Sequence, residues 1–148
     1  MAKPHKHAGL RLLATTKICD ADIALMAKNA AEAAAVKAPQ WSTVRPEKAA
    51  PGVLVFSVRG PGGLVELMEF ALDAVTEDGA TKMQSTITRY KQSQSTFAGF
   101  IPAGQKKMLG LSSYRKWIKN FTTALQEADP SAQIDVNGPL TSSVGEWI

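Results

Sequence analysis

With 148 residues, 45% of them hydrophobic and 20% charged, the chain has the length of one domain and enough apolar side chains for a single core, which excludes a disordered segment. A single cysteine, Cys19, excludes an intramolecular disulfide framework and fits a reducing compartment, and no apolar run approaches membrane-spanning length, so the sequence reads as cytoplasmic with no membrane partner. The net charge of +4 permits an anionic partner without requiring one.

Residues 1–9 (MAKPHKHAG) read as a basic tail in which His5 and His7 make no recognisable metal site. Residues 10–18 alternate, with Leu10, Leu12, Ala14 and Ile18 on one side and Arg11, Thr15 and Lys17 on the other, which predicts a strand. Asp20 suits an N-cap. Residues 21–36 are dense in alanine, the strongest helix former, and Ile23, Met26, Ala27, Ala30 and Ala34 fall on one stripe. Small residues there let the helix approach its partner closely. Pro39 ends the element, and residues 40–51, with two prolines, read as a loop anchored by Trp41. Residues 53–58 (VLVFSV) are bounded by turn residues and predict a buried strand.

Residues 64–76 admit two readings. Leu64, Leu67, Met68, Ala71, Leu72 and Val75 have helical spacing, yet Asp78-Gly79 suits a two-residue hairpin turn. Folding there sets Ala74 against Met83, Leu72 against Ser85, Phe70 against Ile87 and Met68 against Arg89 on one face. The other face pairs Asp73 with Gln84, Ala71 with Thr86 and Glu69 with Thr88, and Glu66 lands opposite Lys91. A one-residue slip scatters this pattern, so the hairpin is the expected structure and a helix over 64–76 the alternative. Residues 91–96 read as a polar turn and 97–101 (FAGFI) as a short strand, followed by a loop carrying Lys106 and Lys107. Ser112 or Ser113 caps a last helix with an apolar stripe of Tyr114, Trp117, Ile118, Phe121, Leu125 and Ala128, which Asp129-Pro130 ends. Residues 131–148 form a tail dotted with Ile134, Val136, Leu140, Val144, Trp147 and Ile148. The expected architecture is therefore α+β. One domain over 10–130, between two tails, carries an antiparallel sheet with an Ala-rich N-terminal helix and a long amphipathic C-terminal helix packed on it.

Little in the chain carries chemistry, and no catalytic residue or cofactor is assigned. Gly60-Pro61-Gly62-Gly63 lacks the lysine that a phosphate loop needs and reads as a kinked connection. Cys19 has no histidine base outside the tail and reads as buried and inert. Glu66, Glu69 and Asp73 read as a solvated face. Charge is segregated, with five acids and no base over 66–78 and eight bases and no acid over 79–126. Two paired strands neutralising each other account for the early part. Lys106, Lys107, Arg115 and Lys119 are the anion-binding candidates. Tyr114, Trp117 and Phe121 point inward rather than onto bases, so a solvated basic face is favoured over a nucleic-acid site.

A helix laid on a curved sheet can leave a cavity lined by Phe70, Leu72, Met83 and Ile87 from the sheet and Trp117 and Phe121 from the helix, although the same side chains read first as a filled core. In element order, carried by strand 10–18, the hairpin at Asp78-Gly79 and the aromatic helix 113–128, the chain resembles the helix-grip superfamily of START-like and Bet v 1-like domains. That resemblance implies a domain holding a hydrophobic ligand between sheet and last helix. The chain departs from the pattern in having fewer strands and an apolar tail after the helix. The expected function is a non-enzymatic binding module for a small apolar or amphipathic ligand. The alternatives are an interaction protein docking its tail (Leu140, Val144, Trp147, Ile148) on a partner or a second copy, and a weak nucleic-acid binder using the basic stretch 82–119.

Overall fold

Strict alternation of buried and solvent-facing side chains makes Arg11–Thr16 the first strand, β1, with Leu12, Ala14 and Thr16 turned into the core. The computed structural model describes residues 9–34, 42–50, 52–60, 65–93, 96–97, 101–102 and 107–137. The expectations for residues 1–8, Trp41, Lys106 and residues 138–148 lie outside the described residues.

After β1 the chain forms α1 (Asp20–Glu32), β2 (Thr43–Ala50), β3 (Val53–Arg59), β4 (Glu66–Glu77) and β5 (Ala80–Tyr90). Four two-residue strands follow: β6 (Gln92–Ser93), β7 (Thr96–Phe97), β8 (Ile101–Pro102) and β9 (Lys107–Met108). Helix α2 (Leu111–Ala128) and strand β10 (Gln133–Asn137) complete the described chain. Six strands build one antiparallel sheet in the order β10-β1-β5-β4-β3-β2, and both helices pack on its inner face. The expected α+β architecture is the one observed.

The segment 66–77 is a strand, as the hairpin reading requires. Register runs as expected from Glu77↔Ala80 to Phe70↔Ile87, around Asp78 and Gly79, both at positive φ. It then shifts by one residue at a bulge, so that Glu69 faces Arg89 and Met68 faces Tyr90. Unbroken pairing would have set Arg89 against Met68 on the buried face. The bulge turns Arg89 outward, where it reaches Glu69 at 2.5 Å and Glu66 at 3.1 Å, and Lys91 is not the partner of Glu66. Thr88, the extra residue, is held by hydrogen bonds from its hydroxyl to the Glu69 carbonyl and carboxylate.

Several other expectations are corrected. The supposed loop over 40–51 contains β2, an edge strand that tolerates Pro46 because its register shifts between Pro46 and Lys48. Residues 97–101 are not one strand: Thr96 pairs with Pro102 and Phe97 with Ile101, and 98–100 lie outside the described residues. Helix α1 begins one residue early. The Ile23 N–H donates to the Cys19 carbonyl, so Cys19, not Asp20, takes the N-cap position, and its thiol is exposed rather than buried. Helix α2 starts from Gly110, and Ser113 lies inside it, buried, with its hydroxyl 2.5 Å from that of Ser42. The sheet also extends past residue 130. Strand β10 pairs with β1 from Thr15↔Gln133 to Arg11↔Asn137, so the domain includes residues assigned from the sequence to a tail.

A polar staple makes that extension possible. One carboxylate oxygen of Asp129 accepts from the Thr16 hydroxyl (2.6 Å) and the Lys17 N–H (3.1 Å). The other accepts from the Ser131 hydroxyl (2.6 Å) and N–H (3.1 Å). The end of α2, the end of β1 and the entry to β10 are thus tied at one residue. These donors, Ser131 and Thr16 foremost, hold the Asp129 carboxyl well below the usual carboxylate range. A depressed folded-state pKa contributes stability above the unfolded value of about 3.9, which is lost as pH falls below it. Asp129→Asn is therefore expected to melt at a lower temperature than the parent near neutral pH, and the gap should narrow steadily below about pH 4. Thermal melts over that range check it. A gap independent of pH would mean that the carboxylate's charge is not what the site stabilises.

Candidate ligand groove

The six residues expected to line a cavity under α2 are brought together, but as packed side chains. Phe70, Leu72, Met83, Trp117 and Phe121 are buried and Ile87 is half-buried against them. The Phe70 ring centroid lies 4.8 Å from that of Trp117 and 4.6 Å from that of Tyr114, and Trp117 stacks on Phe121 at 5.2 Å. Phe56, from β3, joins at 5.3 Å from Phe70 and 5.7 Å from Trp117. These rings occupy the space between the sheet and α2.

Polar atoms inside this layer are paired. Tyr114 reaches the divergence of β1 from β5 and donates its hydroxyl to the Leu10 carbonyl (3.2 Å). Its oxygen lies 2.7 Å from the Ser85 hydroxyl, which accepts the Leu12 N–H at 3.0 Å. Burial pushes the Tyr114 phenol far above its ordinary range, so it stays a neutral donor. The Trp117 indole N–H donates to the Ala27 carbonyl of α1 (3.0 Å), and Asn120 reaches the Ala30 carbonyl at 3.4 Å. Such close backbone approach is what the alanine stripe of α1 allows.

Among the described residues, open space between helix and sheet is found beside α1. A groove of about 300 Å³ runs between α1 and the sheet where β2 turns into β3. Its floor is apolar: Ile23 from the helix, Leu54 from β3, and Leu72 and Ala74 from β4. Ala21 and Ala24 form the helical wall, and their short side chains leave the space unfilled. The opposite wall is the β2–β3 turn, fixed to β4 by the Ala74 N–H donating to the Gly52 carbonyl at 2.8 Å. Asp20 and Lys28 stand at the rim. Of the expected ligand-binding residues, only Leu72 lines this groove. The groove's remaining lining residues were missed because the wall needs β2, which the prolines disguised as a loop, and because the reading of α1 stopped at its most apolar stripe. The signal available was the line of Ala21, Ala24 and Lys28 flanking that stripe.

The outer face of the sheet is different in character. A larger hollow of about 610 Å³ there is bordered by Asp73, Glu77, Lys82, Gln84 and Asp135, with Val75 exposed among them. Towards β2 that face carries ion pairs: Arg59 to Glu47 at 3.1 Å, and Arg89 to Glu66 and Glu69. The Ser57 hydroxyl donates to Glu47 and, with Arg59, holds its carboxyl below the ordinary value.

The anion-binding candidates are only partly placed. Arg115 is half-buried and Lys119 exposed, four residues apart on α2, while of Lys107 only the backbone is described. Among the described residues, no group of three or more His, Cys, Asp or Glu is arranged to hold a metal ion, and no helix is long and apolar enough to cross a membrane. No family model, curated protein or solved structure matches the chain.

Proposed function

We propose that this protein is a non-enzymatic binding module that holds a small apolar or amphipathic molecule between its sheet and α1. The observation that carries the reading is the groove itself, which has an apolar floor continuous with the core through Leu72 and a volume at the lower end of the range for small-molecule sites. The space beneath α2, where the helix-grip resemblance places a ligand, is taken by the rings of Phe56, Phe70, Trp117 and Phe121. The binding position therefore lies beside that stack, against the small side of α1. One wall is the regular backbone of α1 and the other is a turn held to β4 through the Gly52 carbonyl, which supports the reading by limiting the ordering required on binding.

The test is occlusion. Ala24 is half-buried on the groove wall, and Ala24→Trp would fill the space without touching the ring stack. Titration with a fluorescent apolar naphthalene dye should show binding to the parent and at least about tenfold weaker binding to the variant, a difference of about 1.4 kcal/mol. Far-ultraviolet circular dichroism should be unchanged. Equal affinity in the two proteins would refute the groove as the site. Extraction of the purified chain with organic solvent, followed by mass spectrometry, would identify a molecule carried through purification.

A further inference from the structure

Resting on that reading, we propose that the molecule held in the groove is an anionic amphiphile, a hydrocarbon with a carboxylate-like head, and that Lys28 receives the head. Helix α1 sets Asp20, Ala24 and Lys28 on one line along the rim, four residues apart in succession. At 1.5 Å per residue the two charges stand about 12 Å apart along the helix axis, on either side of the apolar floor. The groove therefore has two chemically distinct ends.

The two ends differ in how far their charge is already answered. Asp20 lies in the first turn of α1 together with Asp22, at the end where unpaired backbone N–H groups and the helix dipole favour a negative charge. That local compensation weakens its pull on a cationic head, while its short side chain keeps it near the helix backbone. Lys28 is not held in a contact of that kind. It stands past the middle of the helix, is exposed, and makes no salt bridge among the described residues, Glu32 one turn further on included. Its four-carbon stem can lie along apolar surface while the ammonium reaches over whatever fills the groove. An anionic head is thus attracted at the Lys28 end and repelled at the Asp20 end. The hydrocarbon takes the floor of Ile23, Leu54 and Leu72 between them.

Two fluorescent probes with the same hydrocarbon test this, one a long-chain carboxylate bearing an anthroyloxy group and the other the alcohol of that chain. At low ionic strength the full chain should bind the carboxylate about threefold to fivefold more tightly than the alcohol, the scale of a partly exposed charge pair. Lys28→Gln should abolish the preference and leave the alcohol's affinity unchanged. Lys28→Arg should keep the preference, and Asp20→Asn should enlarge it. Equal affinities in the parent, or a preference unchanged in Lys28→Gln, would overturn the assignment of the head. So would tighter binding of the amine of the same chain that is lost in Asp20→Asn. If the alcohol fails to bind the parent, or binds Ala24→Trp as well as the parent, the groove reading itself falls. The two failures are thereby distinguished. Lys28 is exposed, so its variants are expected to fold.

Discussion

Trp117→Ala is expected to destabilise the domain by about 3–5 kcal/mol, a large part of the stability of a chain this size. The indole is 0% exposed and is shared by three elements. It packs against Phe70 on β4, Phe56 on β3 and Tyr114 and Phe121 on its own helix, and its N–H donates to the Ala27 carbonyl on α1. Alanine would leave a void bounded by rings that cannot collapse into it, because each is fixed by its own strand or helix. Phe121→Ala should fall in the same range. Trp117→Phe keeps a ring in the stack, and Ala27 retains its helical partner, so a loss of about 1–2 kcal/mol is expected. Urea denaturation of the three variants measures these differences. A loss below about 1 kcal/mol for both alanine variants would show that α2 is not docked through this face.

The second large effect is expected at Gly110. This residue enters α2 with φ of +85°, a conformation that costs an L side chain about 1–2 kcal/mol. A Cβ there would also lie 3.1 Å from the Met68 Cβ and 3.1 Å from the Val58 Cγ1, both fully buried on the sheet. Those are short, branched or proximal atoms of the core, with little room to give, and overpacking of this kind costs about 1–3 kcal/mol. Gly110→Ala should therefore lose about 2–5 kcal/mol in all. Gly79 provides the control. Its φ of +76° is similar, but nothing lies within 4 Å of the position a Cβ would take. Gly79→Ala should cost only the conformational part, about 1–2 kcal/mol. Equal losses at the two glycines would show that the approach of α2 to Val58 and Met68 is looser than the geometry implies.

Gly110 also shows what periodicity cannot reveal. The stripe of α2 was legible because Tyr114, Trp117, Ile118, Phe121 and Leu125 repeat with the helical period, and all five are buried. Its outermost member, Ala128, is exposed. The start of the helix was not legible, because its N-cap is Gly110 rather than a serine, and Ser113 is drawn into a buried pair with Ser42. The hairpin register was readable from Phe70 to Ala80, where alternation and turn chemistry agree, and failed at Thr88, where one residue is spent on keeping Arg89 out of the core. Strand β2 was hidden by Pro46, which a central strand would exclude and an edge strand with a register shift accepts. The groove was invisible for the same reason. Its wall is a turn between two strands, one of which was not anticipated, and its emptiness comes from the smallness of Ala21 and Ala24, residues that in sequence announce only helix.

The position of β1 sets the order of assembly on the ribosome. It precedes the other described elements in the chain, yet it lies between β5 and β10. Its contact through Leu12 and Ser85 closes a separation of 73 residues, and that through Thr16 and Asp129 closes 113. Strands β2 to β5, by contrast, follow one another as a meander of adjacent antiparallel pairs and can form as each leaves the exit tunnel. Helix α1 and β1 must wait, with Leu10, Leu12 and Ile23 uncovered, until β5 and then α2 arrive. Apolar surface left open over that interval favours aggregation of nascent chains, and the Thr16–Asp129 bond can form only after the whole of α2 has been translated.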